Sequence, residues 1–389
     1  MSMAGTDRQG TGAAGIVLNE DNSHYYFTRE VKDPASAEAD LDAWADQYAG
    51  TQVRELVICV NAMRTSYASG VWEPIWHGYD PEQGEDQPLF ASASPQGRRL
   101  GHRWVRNAWL LHQFGIDPYA RWIARCRANG ISPWLTMRMN DVHDVHDERS
   151  YMHSALWRER PDLRRIGYKF EDSVDRAFDF GKEEVREHHL ALIREIAERY
   201  DMDGLELDWM RFNHHLRPGY EDEGTAVMTA FMRTVRELLD KQGEKRGRRI
   251  QLSVRVPSRP DDALAIGLDA FTWAREGLID KLVATPFWET IDTDIPVELW
   301  KRLLHGTSVT FAAGLELLVR PYPASPLRVF NSLESARGAA MSYLARGADR
   351  VYLFNYFDSQ TAMADNDRYP ALLRELGSLE TLRGKARRH

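Results

Sequence analysis

Along the chain, short apolar or β-branched runs alternate with stretches whose apolar residues recur every three or four positions. The first pattern predicts strands, whose side chains alternate between two faces; the second predicts helices with one apolar stripe. Runs at 24–27, 53–61, 132–140, 204–209, 250–256, 281–287, 308–316 and 350–356 qualify as strands. Between them, Val185, His189, Leu192, Ile193, Ile196, Ala197 and Tyr200 make one helical stripe, and Val227, Phe231, Val235, Leu238 and Leu239 make another. Stretches 120–128 and 335–345 also read as helices, each closed by a glycine, Gly130 and Gly347. Repeated strand–helix alternation predicts a parallel sheet closed into a (β/α)8 TIM barrel over residues 16–380, with tails at 1–15 and 381–389. An open doubly wound sheet is the alternative, but no Gly-rich phosphate turn follows any strand, so no cofactor is implied.

Two connections are long, 62–118 after the second strand and 141–182 after the third. Long ordered loops on that side of a barrel build binding sites. They carry Trp72, Trp76, Tyr79, Trp157 and Tyr168, and Trp288 follows the sixth strand; together they predict an aromatic-lined cleft, although each ring alone is as readily explained by packing.

The chemistry concentrates at strand ends. In D-G-L-E-L-D-W-M-R, residues 203–211, Leu205 and Leu207 point one way while Glu206, Asp208 and Met210 point the other. Buried acids are costly unless used or paired, so Glu206 and Asp208 are either site residues or core carboxylates balanced by Arg211 or Arg255. Two carboxyl groups across a pocket suit glycosidic cleavage, one donating a proton and the other acting as base or nucleophile. Asp208 is the expected acid and Glu316 its expected partner, because Thr310, Ala312, Gly314 and Glu316 share one strand face and the small residues leave room beneath the carboxyl. Glu206 is the third catalytic candidate. The expected substrate-binding residues are Asn61, Arg64 and Trp72; Arg138, Asn140, Asp141 and His143; Arg211 and Arg255; Trp288 and Glu289; and Asn355. Arginines exceeding the acids around them would select a uronic or sulfated sugar. The run N-D-V-H-D-V-H-D, 140–147, offers a metal-dependent hydrolase built on Asp141, His143 and His146 as an alternative, but this loop spacing proves little without a third ligand, and no metal is assigned.

The net charge of −8, with both signs interspersed and no basic stripe among aromatics, argues against a nucleic-acid partner. No run of 18 apolar residues offers a membrane span and no apolar leader is visible, so the expectation is a cytoplasmic protein acting on carbohydrate. Cys59 and Cys126 fall in apolar patterns and are expected to be buried free thiols.

The run V-R-E-H-H-L-A-L-I-R-E-I-A-E-R-Y-D-M-D-G-L-E-L-D-W-M-R, 185–211, resembles the helix and fourth strand of bacterial glycosyl-hydrolase-like barrel proteins, nearest the family-10-like group. The segments 158–165, 178–186 and 277–283 fit the same pattern. The resemblance implies a (β/α)8 barrel and action on a carbohydrate, without naming the sugar. The chain is also similar to family-18 chitinases, whose strand reads D-G-x-D-x-D-W-E: Asp203, Gly204, Glu206, Asp208 and Trp209 fit or nearly fit, but Met210 stands in place of the final Glu, the proton donor. Met donates no proton, so the chitinase mechanism does not carry over. A carbohydrate-binding barrel without catalysis is therefore the competing expectation.

Overall fold

The computed structural model describes residues 14–166, 172–286, 294–319, 325–327, 329–358 and 368–388. Its strands are β1 (Ile16–Glu20), β2 (Val53–Cys59), β3 (Ser132–Arg138), β4 (Gly204–Asp208), β5 (Gln251–Pro257), β6 (Lys281–Thr285), β7 (Thr310–Glu316), the short β8 (Leu318–Val319) and β9 (Val329–Phe330), and β10 (Arg350–Phe354). The helices are α1 (His24–Thr28), α2 (Pro34–Asp46), α3 (Pro95–Gln113), α4 (Pro118–Ala128), α5 (Ala155–Glu159), α6 (Glu183–Arg199), α7 (Glu221–Arg246), α8 (Pro260–Ala265), α9 (Ala270–Arg275), α10 (Val297–Leu303), α11 (Leu333–Ala345), α12 (Arg368–Glu375) and α13 (Leu379–Leu382). Eight strands close a barrel in the order β1-β10-β7-β6-β5-β4-β3-β2, every pair parallel.

Alternation along each strand separates two cores. Leu205 and Leu207 face outward into the large apolar layer beneath the helices. Val17, Val57, Trp134, Val283, Ala312, Tyr352 and Phe354 fill the barrel interior. Gly204 is required beside Trp134, because a Cβ there would lie 2.3 Å from the indole. The helices start and stop on local chemistry: the Asp117 side chain accepts from Tyr119 and Ala120 to cap α4, Pro118 occupies its first position, and Gly130 closes it at φ +69°.

The first strand differs from expectation. Residues 24–27 form α1, not a strand, and β1 is the preceding I-V-L-N-E. All five β1 residues are buried, so they show no polar alternation. Helical winding sends both tyrosines of α1 inward: Tyr25 packs edge-on against Trp44 and Trp122, and the Tyr26 hydroxyl donates to the Ser66 carbonyl at 3.0 Å. β2 and β3 end at Cys59 and Arg138, two residues short of the expected limits, which leaves Asn61 and Asn140 in loops. At the chain end, residues 383–388 are exposed, yet the Arg388 amide donates to the Glu334 carbonyl of α11 at 2.9 Å. Both cysteines are buried and free. Among the described residues no helix is long and apolar enough to cross a membrane.

Candidate active site

The register sets Arg138, Asp208 and Arg255 side by side on β3, β4 and β5, and Glu316 beside Phe354 on β7 and β10. All lie at the C-terminal ends of their strands, the end where barrel enzymes assemble their sites. Asp208 Oδ1 accepts from Arg255 Nη1 at 2.8 Å and from the Met210 amide at 2.9 Å. Both members of the Asp208–Arg255 pair are only 2% exposed, and the Arg255 guanidinium lies 3.9 Å over the Phe354 ring. Glu316 accepts from the Leu317 amide at 3.0 Å. Burial pushes its carboxyl up to about 7, although the Arg255 and Arg211 guanidiniums pull the other way. One layer deeper, Glu206 accepts from the Tyr352 hydroxyl at 2.8 Å. Burial, then the nearby Asp208 charge, pushes Glu206 up to about 7 as well.

A chain of alternating charges crosses the mouth. Arg138 bonds Asp21 on one side and Asp141 at 3.1 Å on the other; both Asp141 oxygens stand 2.9 Å from His143 Nδ1. His143 Nε2 in turn lies 3.1 Å from Arg211 Nη2. A guanidinium only donates, so Nε2 accepts and the ring proton lies on the Asp141 side. Burial alone would raise Asp21, but Arg138 and Arg211 hold it down at about 2. Asp141 is likewise held well below the usual carboxylate range, against its burial, by His143 and Arg138.

A cavity of about 420 Å³ opens over this floor, lined by Asp21, His24, Phe27, Arg211, Asn355 and Phe357 among others. Asp208, Glu316, Arg138 and Arg255 do not line it; Arg211, whose charge is felt by Glu316, Asp21 and Asp141, is the member of the group that does. Asp208 and Glu316 are thus buried outside the lining of this cavity.

Other expected site residues serve the loops. Asn61 donates to the Ala62 and Arg138 carbonyls and accepts from the Arg138 amide, tying β2 to β3. Asn140 bonds both backbone groups of Phe178 and the His214 carbonyl. Arg64 is buried against Glu73 at 3.1 Å and the Tyr151 carbonyl at 2.9 Å. Trp72 is 6% exposed, stacks on His188 with centroids 4.3 Å apart and donates to the His188 carbonyl. Trp76 stacks on His112, and Arg164 covers Trp157, so these rings pack loops against helices, and the mouth takes its aromatic lining from phenylalanines. Asn355 does reach the cavity, in a left-handed conformation at φ +61°. Trp288, Glu289 and Tyr168 lie outside the described residues.

The metal alternative is not assembled. His143 turns to Asp141 and His146 Nε2 stands 3.0 Å from Ser173 Oγ; among the described residues no three His, Cys, Asp or Glu groups converge as a metal site.

The pattern reading missed Asp21 and His24, because it put the first strand over residues 24–27. A strand at I-V-L-N-E would have set Asp21 at its end. His24 Nδ1 lies 2.9 Å from Glu20 and Nε2 lies 3.1 Å from Asp358, and its ring stacks on Phe357. Burial would lower it, but Glu20 and Asp358 together raise it to about 9.

No family model matches the sequence, and no curated protein matches it. The fold is similar to α-L-fucosidase isoenzyme 2 from Paenibacillus thiaminolyticus, with 12% identity, 93% of this chain and 48% of that one covered, and a TM-score of 0.53. It is also similar to chitinase ChiW from Paenibacillus sp. strain FPU-7, with 10% identity, 96% and 33% covered, and a TM-score of 0.52. The chain thus spans about half the length of the first and about a third of the second. At these identities the likeness is one of fold.

Proposed function

We propose that the protein is a glycoside hydrolase of the barrel type, near the family-10-like group, with Glu316 as proton donor and Asp208 as its partner carboxyl. The observation that carries this reading is Glu316, a buried carboxyl at a strand end with its titration pushed up to about 7. Such a group still holds a proton near neutrality, as a general acid must. Asp208 already receives two N–H bonds, so it is placed to accept a proton rather than to give one. The sequence expectation of Asp208 as the acid is thereby exchanged between the two residues.

In this reading the exocyclic glycosidic bond at the anomeric carbon breaks as Glu316 protonates the leaving oxygen. Asp208 supplies the base for an attacking water, or attacks the anomeric carbon itself. The lining must open when substrate enters, since Arg211 lines the cavity and neither acid does. The fucosidase and the chitinase of similar fold support a carbohydrate substrate. So do the segment 185–211 and its resemblance to barrel glycosidases.

A carbohydrate-binding barrel without turnover is the second reading, favoured by the closed Asp208–Arg255 pair and the absence of both acids from the cavity lining. Release of reducing sugar from a broad glycan panel, wild type against Glu316→Gln, separates the two. The hydrolase reading expects turnover that falls at least about a hundredfold in the folded variant. Binding with no release by the wild type supports the second reading.

A further inference from the structure

We propose that the substrate is an uncharged oligosaccharide lying across two adjoining cavities, with the Arg211–His143 contact as the wall between them. This deepens the glycosidase reading and rests on it. Besides the cavity over Asp21 and Arg211, a second of about 450 Å³ is lined by Ala93, Ser94, His143, Asp144, Asp147 and Phe212 among others. Both volumes fall within the range of small-ligand sites, about 300–1,000 Å³. The second cavity is built from the segments after β2, β3 and β4, the first from those after β1, β4, β7 and β10. All follow the C-terminal ends of parallel strands, so the two cavities open on one face.

The partition is thin. Arg211 lines the first cavity; its neighbour Phe212 and its hydrogen-bond partner His143 line the second. Arg211 Nη2 lies 3.1 Å from His143 Nε2 across the partition, and the Phe212 ring packs edge-on against His143 with centroids 5.5 Å apart. Glu316 feels the Arg211 charge, which sets the proposed proton donor near this partition.

The backbone supplies an independent observation. Among the described residues, Asp144 at φ +55° and Asn355 at φ +61° are the non-glycine residues with positive φ, and one lines each cavity. That conformation is sparsely populated for residues with a Cβ, and it persists where the surrounding structure fixes it, commonly at binding sites.

The linings differ in chemistry. Phe27, Phe330 and Phe357 give the first cavity apolar faces for a sugar ring. Serine hydroxyls and the Asp144 and Asp147 carboxylates give the second acceptors for sugar hydroxyls, and those carboxylates would repel an acidic sugar. The class indicated is a neutral chain of at least one unit on each side of the wall.

Ala93→Trp would fill the second cavity, and Asp144→Asn would remove a carboxylate while keeping a residue type tolerant of positive φ. The assay compares kcat/KM on 4-nitrophenyl monoglycosides with kcat/KM on neutral tri- to pentasaccharides of the same sugar, alongside calorimetric binding of those oligosaccharides. The expected result is a fall of about tenfold or more in the oligosaccharide-to-monoglycoside ratio for Ala93→Trp, and a smaller fall for Asp144→Asn. Unchanged ratios in both variants overturn the two-cavity proposal and leave the glycosidase reading standing. If the wild type hydrolyses nothing, the glycosidase reading fails; oligosaccharide binding weakened in the variants then keeps the cleft, and binding unaffected by them sinks it too. Should Ala93→Trp not fold, Asp144→Asn alone decides.

Discussion

Asp208 and Glu316 are both buried acids at strand ends, and the proposed mechanism gives them opposite tasks. Burial keeps a proton on Glu316 up to about pH 7, so a glycosidase using it as donor should lose kcat/KM as pH rises through about 7. A pH–rate profile checks this, and Glu316→Gln should abolish that limb along with most of the rate. The Asp208–Arg255 pair makes a separate claim, on stability. Replacing Arg255 by Met removes the guanidinium from a buried carboxyl and leaves the Met210 amide donating to it, which should cost about 3–5 kcal/mol. The double variant Asp208→Asn with Arg255→Met should cost clearly less, as urea midpoints would read. Equal costs would mean that the pair is not energetically coupled. The positions of Asp208, Glu316 and Arg255 were legible in the sequence because alternation along a strand fixes which side chains face inward. The raised titration of Glu316 was not legible, because it depends on how deeply the folded barrel buries the carboxyl.

At the scale of elements, alternation and helical stripes located the later barrel strands to within a few residues. The exception is instructive: β1 is buried on both faces and shows only a short apolar run, while the aromatic H-Y-Y-F segment imitates a strand and winds into α1. α1 is held at the mouth by His24, clamped between Glu20 and Asp358 and stacked on Phe357. Its titration at about 9 in the folded chain, against an ordinary 6.5, means that the folded state binds this proton more tightly. The stabilisation is therefore complete below about pH 6.5 and is lost as pH rises through about 9. The Tm difference between wild type and His24→Gln should accordingly be largest near pH 6 and shrink toward pH 10. A difference independent of pH would show that His24 acts through packing alone. β3 and β4 show the same dependence on a neighbour. Gly204→Ala would drive a methyl into the Trp134 ring, and overpacking of this kind costs about 1–3 kcal/mol, measurable by denaturant melts.

For the whole molecule the question is which substrate the charged mouth selects. Counted along the sequence, Arg64, Arg138, Arg211 and Arg255 look like a receptor for an anionic sugar. In the folded barrel Arg64 is turned to Glu73 in its own loop, Arg138 lies between Asp21 and Asp141, and Arg255 is closed on Asp208. Arg211 feels Asp21, Asp141 and Glu316 together. Three guanidiniums at the mouth thus face Asp21, Asp141 and Asp208, with Glu316 beside them, and among these described residues no positive surplus remains. Asp21 tips this balance, and it escaped the sequence reading along with β1. A surplus would strengthen binding of sulfated or uronic glycans at low salt, where screening lengths reach about 30 Å. The structure leads to the opposite expectation: a neutral glycan should bind at least as tightly as its acidic counterpart at low ionic strength, and its affinity should change little up to about 1 M salt, where the screening length falls to about 3 Å. Calorimetric titration of a matched neutral and sulfated pair at both ionic strengths measures this. Tighter, salt-sensitive binding of the sulfated partner would mean that ligand entry frees Arg138 or Arg211 from its carboxylates, and would restore the arginines as the determinants of specificity.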